Sequence, residues 1–319
     1  MANSRNSKFG IAREATWGDA AAPQVMLPVD PPSITDNFET LLDQTVRGIN
    51  VMDFGSYQGV GSVEASLSGI WFPEEVPFIL LAMLGSVSST GTAAPYTHTF
   101  TLANQPPSLS FQDEGAVYPE GGNARRYAGM LPSSLTLTFS SEEGLLTWSA
   151  DFSGKRGTAP ASGSIPADAT NPPFRGWHGT MTIAGAPATR LIDLELTFER
   201  EIQIRWGADG TQYPVAGHSG GIAVTGSMTL DATASTELDY VLTHAENAVV
   251  ITFSYGSGAG EKQLSISIPR FNWGDSPAEL DRSAVAITLS CTGRAIYDRD
   301  TSTLVTATVK NSRQNYNAA

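Results

Sequence analysis

Gly61–Gly85 reads GSVEASLSGIWFPEEVPFILLAMLG, and a degenerate second copy begins at Ile222 as IAVTGSMTLDATASTELDYVLTHAEN. In the first copy Val63, Ala65 and Leu67 alternate with Ser62, Glu64, Ser66 and Ser68, the period of two that a half-buried strand requires. The period then changes. Pro73 with Glu74 and Glu75 predicts a helix start, because proline in a first turn forfeits no hydrogen bond and carboxylates favour the positive N-terminal end. Val76, Ile79, Leu80 and Met83 share one helical face, and Gly85 can close the helix. The second copy repeats the plan. Val224, Gly226, Met228 and Leu230 alternate with polar neighbours, Ser235 is placed to cap, and Leu238, Val241 and Leu242 form a narrower apolar stripe. Two strand-helix units half a chain apart predict two modules.

The rest of the composition agrees with a mainly β protein. Charged residues are sparse at 16% of 319, Gly, Ser and Thr are abundant, and Val, Ile and Thr gather in short runs. The lone Cys291 excludes an intrachain disulfide framework and reads as a small buried hydrophobe. The N-terminal MANSRNSKFG lacks the apolar core of a signal peptide, and the run Val76–Leu84 is too short to span a bilayer, so a soluble protein folding in a reducing cytoplasm, with no membrane partner, is expected. A net charge of −13 argues against adhesion to nucleic acid, which needs clustered cations. The basic doublet Arg125-Arg126 reads as a solvated loop.

Residues 1–30 read as an arm with one short strand, and Ser33–Leu42 as a strand. The glycine-punctuated loop that follows carries Val46, Arg47, Ile49, Val51, Met52, Phe54 and Tyr57, too apolar for disorder and best satisfied by a covering partner. Tyr96–Leu102 and Ser108–Gln112 read as strands and Tyr118–Asn123 as a loop. A hairpin follows, with Leu135, Leu137 and Phe139 returning as Leu146, Trp148, Ala150 and Phe152 around a turn at Ser141–Gly144. Farther on, Ile192, Leu194, Leu196, Phe198, Ile202, Ile204 and Trp206 alternate with Asp193, Glu195, Thr197, Glu199, Glu201, Gln203 and Arg205. Only Arg200 breaks the apolar face of that long strand, and its Phe198-Glu199 echoes Phe38-Glu39. Val249–Ser254, Gln263–Ile268 and Ala284–Ala295 supply further strands, and the polar tail from Asn311 reads as loose. The resulting plan is two tandem β-sandwich or open-barrel modules, each flanked by one α-helix. They occupy 1–155 with the arm and 174–319 with a flexible tail, joined by a linker at 156–173.

Catalytic signatures are weak. Gly217-His218-Ser219-Gly220-Gly221 matches G-x-S-x-G, with Asp231 or Asp239 and His244 downstream, yet the pattern around it is all-β where a nucleophile elbow needs a strand feeding a helix. His98, His178 and His218 form no metal-spaced cluster, Asp298-Arg299-Asp300 lacks the features of a calcium loop, and Gly256-Ser257-Gly258 is a turn. Neither enzymatic activity nor a cofactor is expected.

The chain resembles the major tail tube proteins of long-tailed, siphovirus-like bacteriophages. The resemblance rests on Phe9-Gly10-Ile11-Ala12, Glu14-Ala15-Thr16-Trp17-Gly18, Leu27-Pro28-Val29, Phe38-Glu39 before Arg47-Gly48, the stretch from Gly59 to Gly69, the helix ending Met83-Leu84-Gly85, and Phe152-Ser153-Gly154-Lys155. It covers the first half, the second matching by internal repetition. It implies a β module whose sheet joins those of its neighbours into a ring around a channel. A duplicated chain would then close a pseudo-sixfold ring as a homotrimer. Such rings stack into a conduit for DNA ejection in the virion tail, assembled in the host cytoplasm with tape-measure and terminator or tip proteins. A channel for double-stranded DNA exceeds a small single-chain barrel, so several subunits must share the sheet. An acidic lining would let DNA pass without sticking. The candidate lumen residues are Thr35, Asn37, Glu39, Asp193, Glu195, Glu199 and Glu201, and the loop from Val46 to Tyr57 is the candidate ring-to-ring contact. A capsid decoration or surface-adhesion module is the alternative that the residues leave open.

Overall fold

Period-two alternation becomes strands wherever the sequence carries it. The computed structural model describes residues 7–114, 124–141, 144–158, 164–168, 171–188, 191–231, 243, 245–274 and 288–317. Its first half holds β1 (Lys8–Arg13), β2 (Val25–Met26), β3 (Ser33–Asp43), β4 (Gly55–Ile70), α1 (Pro77–Leu84), β5 (Gly85–Thr90), β6 (Tyr96–Leu102), β7 (Leu109–Glu114), β8 (Ala124–Ser140) and β9 (Thr147–Thr158). The second half holds β10 (Gly179–Ile183), β11 (Ala186–Pro187), β12 (Leu191–Arg205), β13 (Ala216–Asp231), β14 (Glu246–Tyr255), β15 (Lys262–Trp273), β16 (Thr288–Ala295) and β17 (Thr306–Asn311). The mainly β expectation holds. The proposed second helix, with Ser235, Leu238, Val241 and Leu242, lies outside the described residues, as do the loop Tyr118–Asn123 and the turn residues Glu142 and Glu143.

All the ladders among the described residues are antiparallel, and the two halves pair in the same order. The first runs β2–β1–β7–β8–β9–β4–β3 and the second β11–β10–β14–β15–β16–β13–β12. They join where β12 pairs with the far end of β8, Asp193–Glu199 against Ser140–Ser134. They join again through β17, which lies between β15 and β6. One apolar core crosses both halves. Phe111 of β7 packs edge-on to Phe152 of β9 at 4.9 Å within the first half, and Phe253 of β14 packs edge-on to Phe139 of β8 at 5.4 Å, an aromatic pair that bridges the two halves.

The helix differs from its expected form. It starts at Pro77, after a turn over 73–76, and all eight of its residues are buried. PFILLAML is apolar on every side, and such a helix belongs inside a core, where an amphipathic stripe would lie on top of one. Gly85 ends it as expected, in the left-handed region at φ 108° with its N–H on Leu81 O. Arg200, the break in the apolar face of β12, reaches this end of the helix: Nη1 donates to Met83 O at 2.6 Å and Nη2 to Ala103 O at 2.7 Å. At the other end Lys262 of β15 pairs with Glu74 at 2.5 Å. The second half thus holds the first half's helix at both ends.

Three polar stretches are more ordered than their composition suggests. Phe9, Ile11 and Ala12 of the supposed arm are buried, and β1 is followed by Glu14, a buried carboxylate accepting from Ser108, Ser110, Gly18 and Gly129. Arg125 and Arg126 are buried, the first on Asp36 at 2.6 Å and the second on Gln112, so the doublet is not a solvated loop. The segment beyond Asn311 is packed: Tyr316 is fully buried among Phe78, His98 and Phe100, and its hydroxyl donates to Glu74 O. A polar strand end is held there because Asn311 Nδ2 donates to Pro73 O and Tyr316 Oη, giving buried polar atoms partners.

Candidate functional site

Antiparallel partners point to the same side of a sheet, so the ladders fix which polar residues share a face. Thr35 stands opposite Glu64 and Ser33 opposite Ser66; Ser66 faces Asp151, Asp151 faces Ser134, and Ser134 faces Glu199. The line continues through Thr138, Glu195, Ser227 and Thr292, with Ser140, Asp193 and Thr229 beside it. Seven strands, β3–β4–β9–β8–β12–β13–β16, therefore present one continuous hydroxyl and carboxylate surface. Its reverse carries the buried Val63, Ala65, Leu67, Trp148, Phe152, Leu135, Leu137, Leu194, Leu196, Phe198 and Val224. Hydrogen bonds run along the polar side: Ser66 Oγ and Ser134 Oγ donate to the two Asp151 oxygens at 2.6 and 2.8 Å, and the Thr136 and Thr197 hydroxyls meet at 3.1 Å.

Of the residues singled out in the sequence, Thr35, Asn37, Asp193, Glu195 and Glu199 are exposed on this face. Glu39 and Glu201 are exposed at β-bulges, where the β3–β4 and β12–β13 ladders each skip a residue. Each bulge glutamate leans on a glycine: a Cβ on Gly59 would lie 3.0 Å from that of Glu39, and one on Gly220 3.0 Å from that of Glu201. The ladder therefore matches Phe38-Glu39 to Arg200-Glu201, two residues from the echo read in the sequence. Glu64 and Asp151 belong to the same face and were missed. Their signal was the alternation itself, which marks a polar side without saying which strands lie together. Exposed Arg294, opposite Thr225, is a cation that the ladders set among these carboxylates.

Beyond the shared sheet both long hairpins continue as two-stranded arms. The first, Thr40–Asp43 with Gly55–Gln58, carries the loop 44–54. Within it Asp43 accepts from Thr45 N and Oγ1 and from Arg47, and Arg47 lies over the Phe54 ring at 5.0 Å. The hydroxyl, amide and guanidinium bonds hold the Asp43 carboxyl below its ordinary value. This organised tip is apolar outward: Val46 is 97% exposed and Met52 78%, with Ile49, Val51 and Tyr57 exposed beside them and Phe54 half-buried. Large apolar groups so gathered on a projecting tip mark an interaction surface. The second arm, Ile202–Arg205 with Ala216–Ser219, ends in 206–215 and folds back onto β4 at the base of the first: Gly61 N donates to Gln212 O, and Trp206 Nε1 to Gly61 O.

No catalytic arrangement emerges around the serine motif among the described residues. Ser219 sits inside β13 opposite Ile202, within a continuing ladder and without a strand-to-helix turn; Asp239 and His244 lie outside the described residues. Among the described residues no group of three or more His, Cys, Asp or Glu is placed to hold a metal, and no helix is long and apolar enough to cross a membrane. The surface that stands out is an extended acidic sheet face with projecting apolar arms, suited to contact over area.

No curated protein matches the chain. A family model described as phage tail tube protein matches residues 4–295, nearly the whole sequence, and the chain belongs to that family of structural proteins of the virion tail.

Proposed function

We propose that the chain is a duplicated-module tail tube protein of the siphovirus-like type, three copies of which close a pseudo-sixfold ring, and that the rings stack into the conduit for DNA. The observation that carries this reading is the β8–β12 ladder. It joins the first half of the chain to the second by pairing one edge of β12. The matching edge of β3, the strand that holds the same place in the first half, is free among the described strands. Equal strand order and matching bulges support two equivalent modules, over 1–155 and 174–319 with 156–173 between them. A free edge is an open template for another strand, and a closed ring removes it. The seven-strand polar face would then line the lumen, with Thr35, Asn37, Glu39, Glu64, Asp151, Asp193, Glu195, Glu199 and Glu201 toward DNA that passes without specific binding. The apolar arm at Val46–Tyr57 is a subunit contact, ring-to-ring at its apex. Tape-measure and terminator or tip proteins would bound the tube, assembled in the host cytoplasm.

Ile34→Pro tests the edge. Gly61 turns its N–H outward, away from its partner Phe38, so Ile34, an even number of residues before Phe38, aims its own N–H at the free side of β3. Proline is tolerated on an edge strand where the missing N–H pairs with nothing. The variant should keep wild-type circular dichroism and remain monomeric under conditions in which wild type forms tubes. Normal tubes from Ile34→Pro would refute closure through β3.

A further inference from the structure

The contact of the second arm with Gly61 of β4 has a counterpart that the chain leaves open. β4 and β13 are both sixteen residues long, and Gly61 and Ile222 are each the seventh. The bulges at Glu39 and Glu201 align, and the tips span 44–54 and 206–215. Counted back from the returning strand, Val51 stands where Gln212 stands. Gln212 has a seat: its carbonyl accepts from Gly61 N at 2.9 Å, and Trp206 Nε1 donates to Gly61 O at 3.3 Å. The first arm's tip is exposed. On the receiving side, β16 joins β13 only from Thr225 onward, so among the described strands none lies beside the outer edge of β13 at Gly221–Ile222.

In the order β3–β4–β9–β8–β12–β13–β16–β15, the second arm rises from β12–β13 and leans back across β8 and β9 to reach β4. The same lean carries the first arm past the β3 end of its own chain. We infer that the limb of the first arm around Val51 seats on Gly221–Ile222 of the neighbouring copy in the same ring, repeating between chains the contact that Gln212 makes with Gly61 within one. The inference rests on the ring reading proposed above. Backbone pairing at the free β13 edge would fix position, and the apolar groups of the loop would supply buried area. Each ring junction would then be double, one strand ladder at β3 and one arm seat at β13. The apex, Val46 and Ile49, would remain free for the next ring.

A thiol pair tests it. Gly221 is exposed with open space where a Cβ would stand, and Val51 is exposed, so Val51→Cys with Gly221→Cys, in a Cys291→Ser background, should leave the fold intact. Assembled tubes treated with a short bismaleimide should give a denaturing-gel ladder that ends at the subunit number of one ring. A ladder running past that number, or tubes that do not cross-link, would overturn the in-ring seat while leaving the ring reading standing. Wild-type protein that never assembles would overturn both. Hydrogen exchange on wild type gives a reading free of substitutions: the Ile222 amide should gain at least about tenfold protection on assembly, and unchanged exchange there in formed tubes would also overturn the seat.

Discussion

Replacing Arg200 by methionine removes the guanidinium that joins β12 to the end of α1 and keeps most of the side chain's bulk. Two charge-assisted bonds are lost, to Met83 O and Ala103 O, each contributing about 1.5–3 kcal/mol. Burial opposes them: it pushes the guanidinium below its ordinary pKa, and Arg200 Nε has no hydrogen-bond partner among the described residues. Desolvating one such ion costs several kcal/mol, so the net loss on substitution is about 2–4 kcal/mol, most of it from leaving two carbonyls near the helix end without donors. In a chain of this size each kcal/mol moves Tm by about 2 °C, which predicts a fall of about 4–8 °C by differential scanning calorimetry. Arg200→Lys, retaining the charge with one reachable carbonyl, should fall in between. An Arg200→Met chain with wild-type Tm would refute the idea that this side chain ties the halves together.

Glu75 is buried beside Glu74, and burial first, then that neighbouring charge, pushes its carboxyl up to about 7. The folded state therefore holds a proton that the unfolded chain releases near pH 4.5, and stability falls as pH rises from about 4.5 to 7 by on the order of 3 kcal/mol. Glu75→Gln should flatten that slope in chemical denaturation, matching wild type near pH 4 and exceeding it at pH 8; parallel curves would contradict the assignment. Ending the chain at Asn311 removes Tyr316 from its slot against Phe78 and Phe100 and should cost about 3–5 kcal/mol, read as a lower urea midpoint, whereas an unchanged midpoint would mean the segment is dispensable. Glu195→Lys with Glu199→Lys should leave assembly intact and slow DNA release from reconstituted particles, the delay shrinking in about 1 M salt as screening shortens to about 3 Å. Release at the wild-type rate would remove this face from the lumen.

Strands were legible because one buried face imposes a period of two, and Tyr96–Leu102, Ser33 to Phe38 and the two limbs of the Leu135–Phe152 hairpin carry it. What escaped depends on distant partners. Lys8–Arg13 is too short for a period to declare itself and becomes core only by pairing with Leu109–Glu114, about a hundred residues away. Asn311–Asn317 is polar by composition, yet four of its anchors, Pro73, Glu74, His98 and Val87, come from the other half. Arg125, Arg126 and Arg200 look like surface cations until their acceptors are known. The acidic face shows the same division. The alternation in Leu191–Arg205 marked Asp193, Glu195 and Glu199 as outward, but only the ladder across β9 and β8 brings Glu64 and Asp151 onto the same surface.

The central claim is that one chain supplies two equivalent blades of a closed ring. End-on averages of purified assembled tubes by cryo-electron microscopy, with chains traced around one ring, test it most directly. Three chains forming six similar blades, with β3 of each chain paired to the next, is the predicted result. A ring of six chains, or one in which β3 faces solvent, would contradict it.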